Sequence, residues 1–353
     1  MIKRTIPLVV LILIASACMP GSSMRVIDTP APNITAAQNW YTVYFTDPGR
    51  STASTYRGGP DQDLADAIDQ ARISVDAAIY DLNLWSIRDA LIKAHRRGVT
   101  VRVVSESDNM DEQEIQNLKN AGITVIGDRR QALMHNKFTV IDRNEVWTGS
   151  MNYTTGSAYL DNNNLIHLKS ATLAEDYTHE FEQMFVDDHF GSNKTASTPN
   201  PIVTVNGSQI EVYFSPEDGT LKHILSAVSA ARQSIDFLAY SFTSDELGQA
   251  LIERARAGIT VHGVFDTDQY HSNAGTQFDV LKKAGIDVGL DGNPHLMHHK
   301  VIIIDGQVVI TGSYNFSNNA EHNNDENTLI IHNQDIAAQY QTEFQKVYTE
   351  AKR

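Results

Sequence analysis

The sequence predicts an α/β fold of two repeated halves. Each half has β-α-β-α-β order and a mostly parallel or mixed sheet flanked by helices, and the two form one pseudo-twofold unit. Three observations carry that expectation. Residues 135–152 read His-Asn-Lys-Phe-Thr-Val-Ile-Asp and end in Thr-Gly-Ser-Met-Asn, and residues 298–315 read His-His-Lys-Val-Ile-Ile-Ile-Asp and end in Thr-Gly-Ser-Tyr-Asn. In both copies Lys follows His by two, Asp by seven, Gly by 14, Ser by 15 and Asn by 17. The repeat extends beyond this phrase: Val43-Tyr44-Phe45 matches Val212-Tyr213-Phe214, Tyr80 matches Tyr240, and Ala121-Gly122-Ile123 matches Ala284-Gly285-Ile286. The offset is 169 residues at Val43, 160 at Tyr80 and 163 at the histidines, so few residues separate the copies in length.

Each half alternates helix and strand signals. Leu64 to Ala71 and Leu221 to Ala231 carry apolar residues at helical spacing, and Val75 to Ile79 and Ile235 to Ala239 follow as buried strands. A second helix (Ile87 to Arg96; Leu247 to Ala257) leads to a strand (Val99 to Val104; Ile259 to Phe265). A short helix (Glu112 to Asn120; Thr276 to Ala284) then precedes the strand before the motif. That order implies a largely parallel sheet, two of which meet edge to edge or face to face. Half one runs over residues 41–190, a polar linker over 191–207, and half two over 208–350.

In Met134 to Asp142 the period of two places His135 and Lys137 on one strand face. Asp142-Arg143-Asn144 and Asp305-Gly306-Gln307 are turn signals, so each motif reads as a hairpin whose return strand ends at Thr-Gly-Ser. Glycine there lets the backbone approach a ligand closely. Serine and asparagine add neutral donors beside the His–Lys pair. A phosphate needs this set: a cation, hydroxyl and amide donors, and an imidazole that moves a proton or attacks. The candidate catalytic set is His135, Lys137, Asp142, His298, Lys300 and Asp305, with Ser150, Asn152, Ser313 and Asn315 as candidate phosphate ligands. Asp142 and Asp305 also fit a simpler role capping their own turns, since they fall on the strand face opposite the histidines. His295, His298 and His299 have no matching cluster in half one and no carboxylate at ligand spacing, so a metal site is not expected and His299 reads as a packed strand residue.

Composition is that of an ordinary globular protein, with 41% hydrophobic and 20% charged residues over 353 positions, and the net charge is −15. An acidic body does not gather nucleic acid by counterion release, although a locally basic cleft is compatible with it. At the N-terminus Lys3 and Arg4 precede an apolar run from Ile6 to Ile14, and Ala15-Ser16-Ala17 follows, which reads as a signal peptide over residues 1–17. Ala15 and Ala17 satisfy ordinary cleavage, which releases a soluble chain. Cys18, the only cysteine, makes the segment resemble a bacterial lipoprotein signal instead, implying lipidation, a membrane anchor and a place in the cell envelope. Residues 18–40 read as a flexible tether.

The paired His-x-Lys-x4-Asp…Gly-Ser-x-Asn segments resemble the HKD motifs of the phospholipase D superfamily, over about residues 41–350. That superfamily includes phospholipases D, cardiolipin synthases and endonucleases. The resemblance implies a phosphohistidine mechanism with neither metal nor other cofactor. In it one histidine attacks, the other protonates the leaving alkoxide, and Lys137, Lys300, Asn152 and Asn315 hold the phosphate. It also implies a carboxylate that orients an imidazole across the two halves. Glu326 stands 28 residues beyond His298, but Asn163 occupies the same place after His135. Carried over, Glu326 orients His135, the nucleophile, and Asn163 faces His298, the acid. The expected activity is phosphodiester hydrolysis of phospholipid head groups, the alternative a metal-independent endonuclease. A monomer is expected because both motifs share one chain. Tyr159 and Tyr270 are either rim or packing residues.

Overall fold

A computed structural model describes residues 40–51 and 53–353. The expected signal peptide, Cys18 and nearly all of the tether lie outside the described residues. Trp40, which the sequence assigns to the tether, is instead buried in the core.

Half one contains β1 (Tyr41–Phe45), α1 (Pro60–Gln70), β2 (Ser74–Ile79), α2 (Trp85–Arg96), β3 (Thr100–Ser105), α3 (Gln113–Asn120) and β4 (Thr124–Gly127). The motif follows as β5 (Lys137–Ile141) and β6 (Glu145–Gly149), then α4 (Thr155–Tyr159), β7 (Asn164–Lys169) and α5 (Ala171–Phe185). Half two begins with β8 (Ile202–Val205) and β9 (Ser208–Ser215). It repeats the order with α6 (Thr220–Ser229), β10 (Ser234–Ala239), α7 (Asp245–Arg256), β11 (Thr260–Phe265), α8 (Thr267–Ser272), α9 (Phe278–Lys283) and β12 (Asp287–Leu290). Its motif is β13 (Lys300–Ile304) and β14 (Val308–Gly312), followed by α10 (Asn318–His322), β15 (Glu326–His332) and α11 (Gln334–Glu350).

Local chemistry explains the boundaries. Pro60 opens α1 with Asp61 and Asp63 in its first turn, where a fixed φ and negative charge both suit a helix start. Ser170 and Asn333 cap the long helices α5 and α11 through Leu173 N and Ile336 N. Each motif hairpin turns at two residues of positive φ, Asp142 (53°) with Arg143 (52°) and Asp305 (54°) with Gly306 (62°), the geometry that matches strand twist.

The strand orders are β1-β7-β6-β5-β2-β3-β4 and β12-β11-β10-β13-β14-β15-β9-β8. Among the described strands, β2-β3-β4 and β10-β11-β12 are the ones that pair in parallel. The sheets are therefore mixed, with antiparallel pairs in the majority, because each motif hairpin and the strand returning after it enter antiparallel. The stretch 191–207 is not a free linker either, since β8 pairs with β9.

The sheets meet face to face through two helices. Phe138, Ile166 and Leu168 of the first sheet share one core with Phe214, Ile303 and Leu329 of the second, and Tyr177 and Phe181 of α5 and Tyr340 and Phe344 of α11 lie within it. Tyr177 donates to Asn327 Oδ1 of the other half at 3.2 Å, and Tyr340 donates to Asn164 Oδ1 at 3.2 Å. Helices α1, α2 and α3 cover the outer face of sheet one, and α6, α7 and α9 that of sheet two. This layering presses the two motif hairpins together.

Candidate active site

The histidines do not sit inside their strands as the sequence spacing suggests. β5 starts at Lys137 and β13 at Lys300. The residues just before them are drawn out to pair with the opposite half: His135 N donates to Asp325 O at 3.0 Å, and His298 N donates to Asn162 O at 2.9 Å. Glu106 accepts from Met134 N at 2.7 Å and Asp266 from Met297 N at 2.9 Å, which fixes each lead-in from below. Burial pushes these carboxyls up, to about 7 and about 6.

That crossing delivers each imidazole to a partner from the other half. His135 Nδ1 lies 2.7 Å from Glu326 Oε2, and His298 Nδ1 lies 2.9 Å from Asn163 Oδ1. The cross-half assignment expected from the resemblance is the geometry found. An acceptor on Nδ1 favours the tautomer with its proton there and leaves Nε2 as the basic ring nitrogen. Lys137 Nζ donates to His135 O at 2.8 Å and Lys300 Nζ to His298 O at 2.9 Å, so each lysine is held by its own motif.

Four cationic or potentially cationic groups share this buried site, and their proton affinities show it. Burial lowers His135 to about 4, with Lys137 and Lys300 lowering it further against the pull of Glu326. His298 is lowered well below the ordinary imidazole value by burial, by both lysines and by His135. Burial lowers Lys137 to about 7, and Lys300 falls well below the usual ammonium range by burial and by Lys137. Each half thus feels the other. A phosphodiester bound among these groups brings the negative charge that favours their protonated forms.

Two tyrosines missing from the sequence-level site complete it. Tyr80 meets His135 edge-on at 4.8 Å between ring centroids, and Tyr240 meets His298 at 4.4 Å. Lys137 Nζ lies 4.8 Å from the Tyr80 ring centre and Lys300 Nζ 4.5 Å from that of Tyr240. Their signal in the sequence is register alone, one tyrosine directly after the equivalent strand of each half.

The structure corrects three expectations. Asp142 and Asp305 take no part in the site. Asp142 accepts from the backbone N–H groups of Arg72, Ile73 and Ser74 at 2.7–3.1 Å, and Asp305 does the same for Arg232, Gln233 and Ser234 at 2.7–3.2 Å. They cap the loop entering β2 and β10. Ser150 and Ser313 are fully buried and used internally rather than on phosphate. Ser150 donates to Asn163 Oδ1 at 2.9 Å and accepts from Asn164 N at 3.1 Å, while Ser313 accepts from Asn327 N at 3.0 Å. Nor does the motif glycine face a ligand. A Cβ on Gly149 (φ 152°) would lie 2.4 Å from Asn164 O, and one on Gly312 (φ 147°) 2.2 Å from Asn327 O.

Asn152 and Asn315 are both partly exposed, and each has a buried amide oxygen without a hydrogen-bond partner among the described residues. His299 is packed as expected, but it lies just before β13 rather than in it, held by Asn164 at 3.0 Å. Tyr159 is buried and Tyr270 packs on Phe278, so both serve as packing.

The partner of His135 is itself braced. Asp325, just before Glu326, is buried against Lys194 at 3.1 Å and against Arg130. Lys194 also reaches Glu180 at 2.6 Å and Glu217 at 2.9 Å. Burial opposes its charge, but the three carboxylates together outweigh burial and raise its proton affinity. Half one has the neutral pair Asn162 and Asn163 where half two has Asp325 and Glu326.

The family described as cardiolipin synthase, PLD-like domain matches residues 64–185 and 224–348, one stretch in each half. The chain belongs to this phospholipase D-like family. It is 38% identical over 131 residues to the human mitochondrial cardiolipin hydrolase, a match covering 37% of this chain and 52% of that protein. It is 35% identical over 153 residues to a phospholipase D of Rickettsia bellii, covering 42% of this chain and 76% of that one. The chain spans little more than half the length of the cardiolipin hydrolases it matches. In fold it is similar to the phosphatidylserine synthase of Haemophilus influenzae Rd KW20, with a TM-score of 0.64, 12% identity, and 87% and 86% of the two chains covered.

Proposed function

We propose that this chain is a phosphodiesterase of phospholipase D type that hydrolyses phospholipid head groups through a phosphohistidine on His135. One observation carries the reading: two buried imidazoles in one site have opposite partners, a carboxylate at 2.7 Å for His135 and an amide at 2.9 Å for His298.

Neutral His135 attacks phosphorus through Nε2, a P–N bond forms, and the P–O bond to the head group breaks. The departing alkoxide takes a proton from His298, whose cationic form the bound phosphate restores. Glu326 stabilises the positive charge that develops on His135 as the P–N bond forms. His298, now neutral, then removes a proton from water, whose oxygen attacks phosphorus and breaks the P–N bond. Asn163 keeps the His298 ring oriented without a fixed negative charge, so it gives its proton up readily. Lys137 and Lys300 offset the charge on the non-bridging oxygens, with Asn152 and Asn315 beside them. The relatives named phospholipase D and cardiolipin hydrolase support a lipid substrate. Export and lipidation at Cys18, which would hold the site at its substrate, rest on the sequence alone.

The test is incubation with phosphatidylcholine, cardiolipin and single-stranded DNA, each with chelator, and trapping of the labelled intermediate by alkaline denaturation, which a phosphohistidine survives. Lipid hydrolysis with a phosphohistidine that His135→Asn abolishes is the expected result. Cleavage of DNA without lipid hydrolysis replaces this reading with the endonuclease, and no labelled enzyme with any substrate removes it.

A further inference from the structure

Lys194 is a buried cation in the stretch that joins the two halves, and it touches both. Its Nζ lies 2.6 Å from Glu180 of α5, 2.9 Å from Glu217 and 3.1 Å from Asp325, and it donates to Ser215 O at 3.3 Å. Two of these contacts lead to His135. Along the first, Glu180 Oε1 also accepts from Asn136 Nδ2 at 3.0 Å, and Asn136 directly follows His135. Asn136 Oδ1 in turn accepts from Asn327 Nδ2 at 2.9 Å, which ties the residue after His135 to the residue after Glu326. Along the second, the Asp325 carboxylate also accepts from Gly191 N at 2.7 Å and from Arg130. Its backbone oxygen accepts from His135 N at 3.0 Å, and the next residue is Glu326. Both routes end on the His135–Glu326 pair.

The other half repeats this arrangement with less charge. At the mates of Arg130 and Asp325 stand Asn293 and Asn162, joined by a neutral hydrogen bond of 2.8 Å. At the mates of Asn136 and Glu180 stand His299 and Glu343, 3.5 Å apart, and the lysine near Glu343, Lys346 at 3.9 Å, is partly exposed. Hydrogen bonds to charged groups are shorter and about twice as strong as neutral ones. The difference falls where the chemistry needs it. Attack on phosphorus requires a ring nitrogen held in line, whereas His298 only gives and takes a proton. Lys194 and Arg130 also let a second carboxylate stand beside Glu326 in the interior: burial raises the Asp325 carboxyl, and the two cations act against it.

We infer that Lys194 is a positioning residue: from the segment between the halves it holds the His135–Glu326 pair in line, and so assigns the nucleophilic role to His135 rather than His298. The kinetic half of this rests on the phosphodiesterase reading, while the bracing is read in the resting chain. The full chain carrying isotope-labelled histidine is compared by NMR with Lys194→Met, and with Lys194→Met plus Glu217→Gln. The second variant removes the carboxylate that lies on neither route, which relieves the excess negative charge and keeps the test open if the single variant does not fold. The Nδ1–H resonance of His135, assigned by its loss in His135→Asn and deshielded by the 2.7 Å contact with Glu326, should move upfield. In rapid-quench trapping with cardiolipin or phosphatidylcholine, phosphoenzyme formation should fall about 100-fold, the cost of a misplacement of about 1 Å. Hydrolysis of the phosphoenzyme, which His298 drives, should not slow. An unchanged resonance, an unchanged first step, or equal slowing of both steps in a folded variant overturns the inference and leaves Lys194 a brace for stability alone. Absence of any phosphoenzyme in the unmutated chain removes the catalytic reading instead, and the resonance by itself then decides whether Lys194 positions the pair.

Discussion

Lys137 is the group whose burial costs the fold most visibly, and Lys137→Met isolates that cost. The side chain is almost fully buried, and burial lowers its pKa from the ordinary lysine value of 10.5 to about 7. At 1.36 kcal/mol per pH unit this difference corresponds to roughly 5 kcal/mol as an upper bound. Methionine fills similar volume without charge, but it forfeits the hydrogen bond to His135 O and the contact with the Tyr80 ring, each about 1 kcal/mol, and leaves that carbonyl unpaired. The expected net gain is on the order of 2 kcal/mol at pH 7, with turnover lost. The sign with pH follows from linkage. Between pH 7 and 10.5 the unfolded chain holds a proton that the folded one has released, so wild-type stability rises with pH. The advantage of Lys137→Met is therefore full below about pH 7 and shrinks toward pH 10.5. Urea denaturation at several pH values measures it. A variant less stable than wild type at pH 7, or one whose advantage does not change with pH, refutes the reasoning.

Three further outcomes follow from the site. Glu326→Gln removes the carboxylate that steadies His135, so phosphoenzyme formation should fall roughly 10²–10⁴-fold in rapid-quench trapping, and an unchanged rate contradicts the assigned role. Asn163→Asp places a negative charge 2.9 Å from His298 Nδ1 and should raise its proton affinity, moving the alkaline limb of the pH–rate profile upward; a profile that does not move argues against His298 as the acid. Asp142→Ala strips three backbone N–H groups of their acceptor and should cost about 2–3 kcal/mol of stability with kcat nearly unchanged, whereas loss of kcat in a fully folded variant would return Asp142 to the chemistry.

Much of this protein is written locally. Apolar spacing marks α1, α2, β2 and β3 and their mates, since one buried face leaves the same period wherever the helix or strand lies. The doubled motif identifies His135, Lys137, His298 and Lys300, because chemistry that needs two sets of groups repeats them in register. The resemblance to the phospholipase D superfamily points to Glu326 and Asn163, each 28 residues beyond a motif histidine. Other features depend on what the chain meets after folding. Ser150, Ser313, Gly149 and Gly312 belong to the motif as strongly as the histidines, yet their neighbours are Asn164 and Asn327 at a crossing of strands. The two motif aspartates serve loops some 70 residues away in sequence. Lys194 sits in a stretch of ordinary polar composition and is buried only because Glu180, Glu217 and Asp325 converge on it. Sequence by itself determined which groups are present and how they are spaced. Tertiary structure alone decided which half's residue each imidazole faces, because a hydrogen bond or a displaced proton depends on distance in space, and the segments holding His135 and His298 leave their own sheets to find partners in the other half.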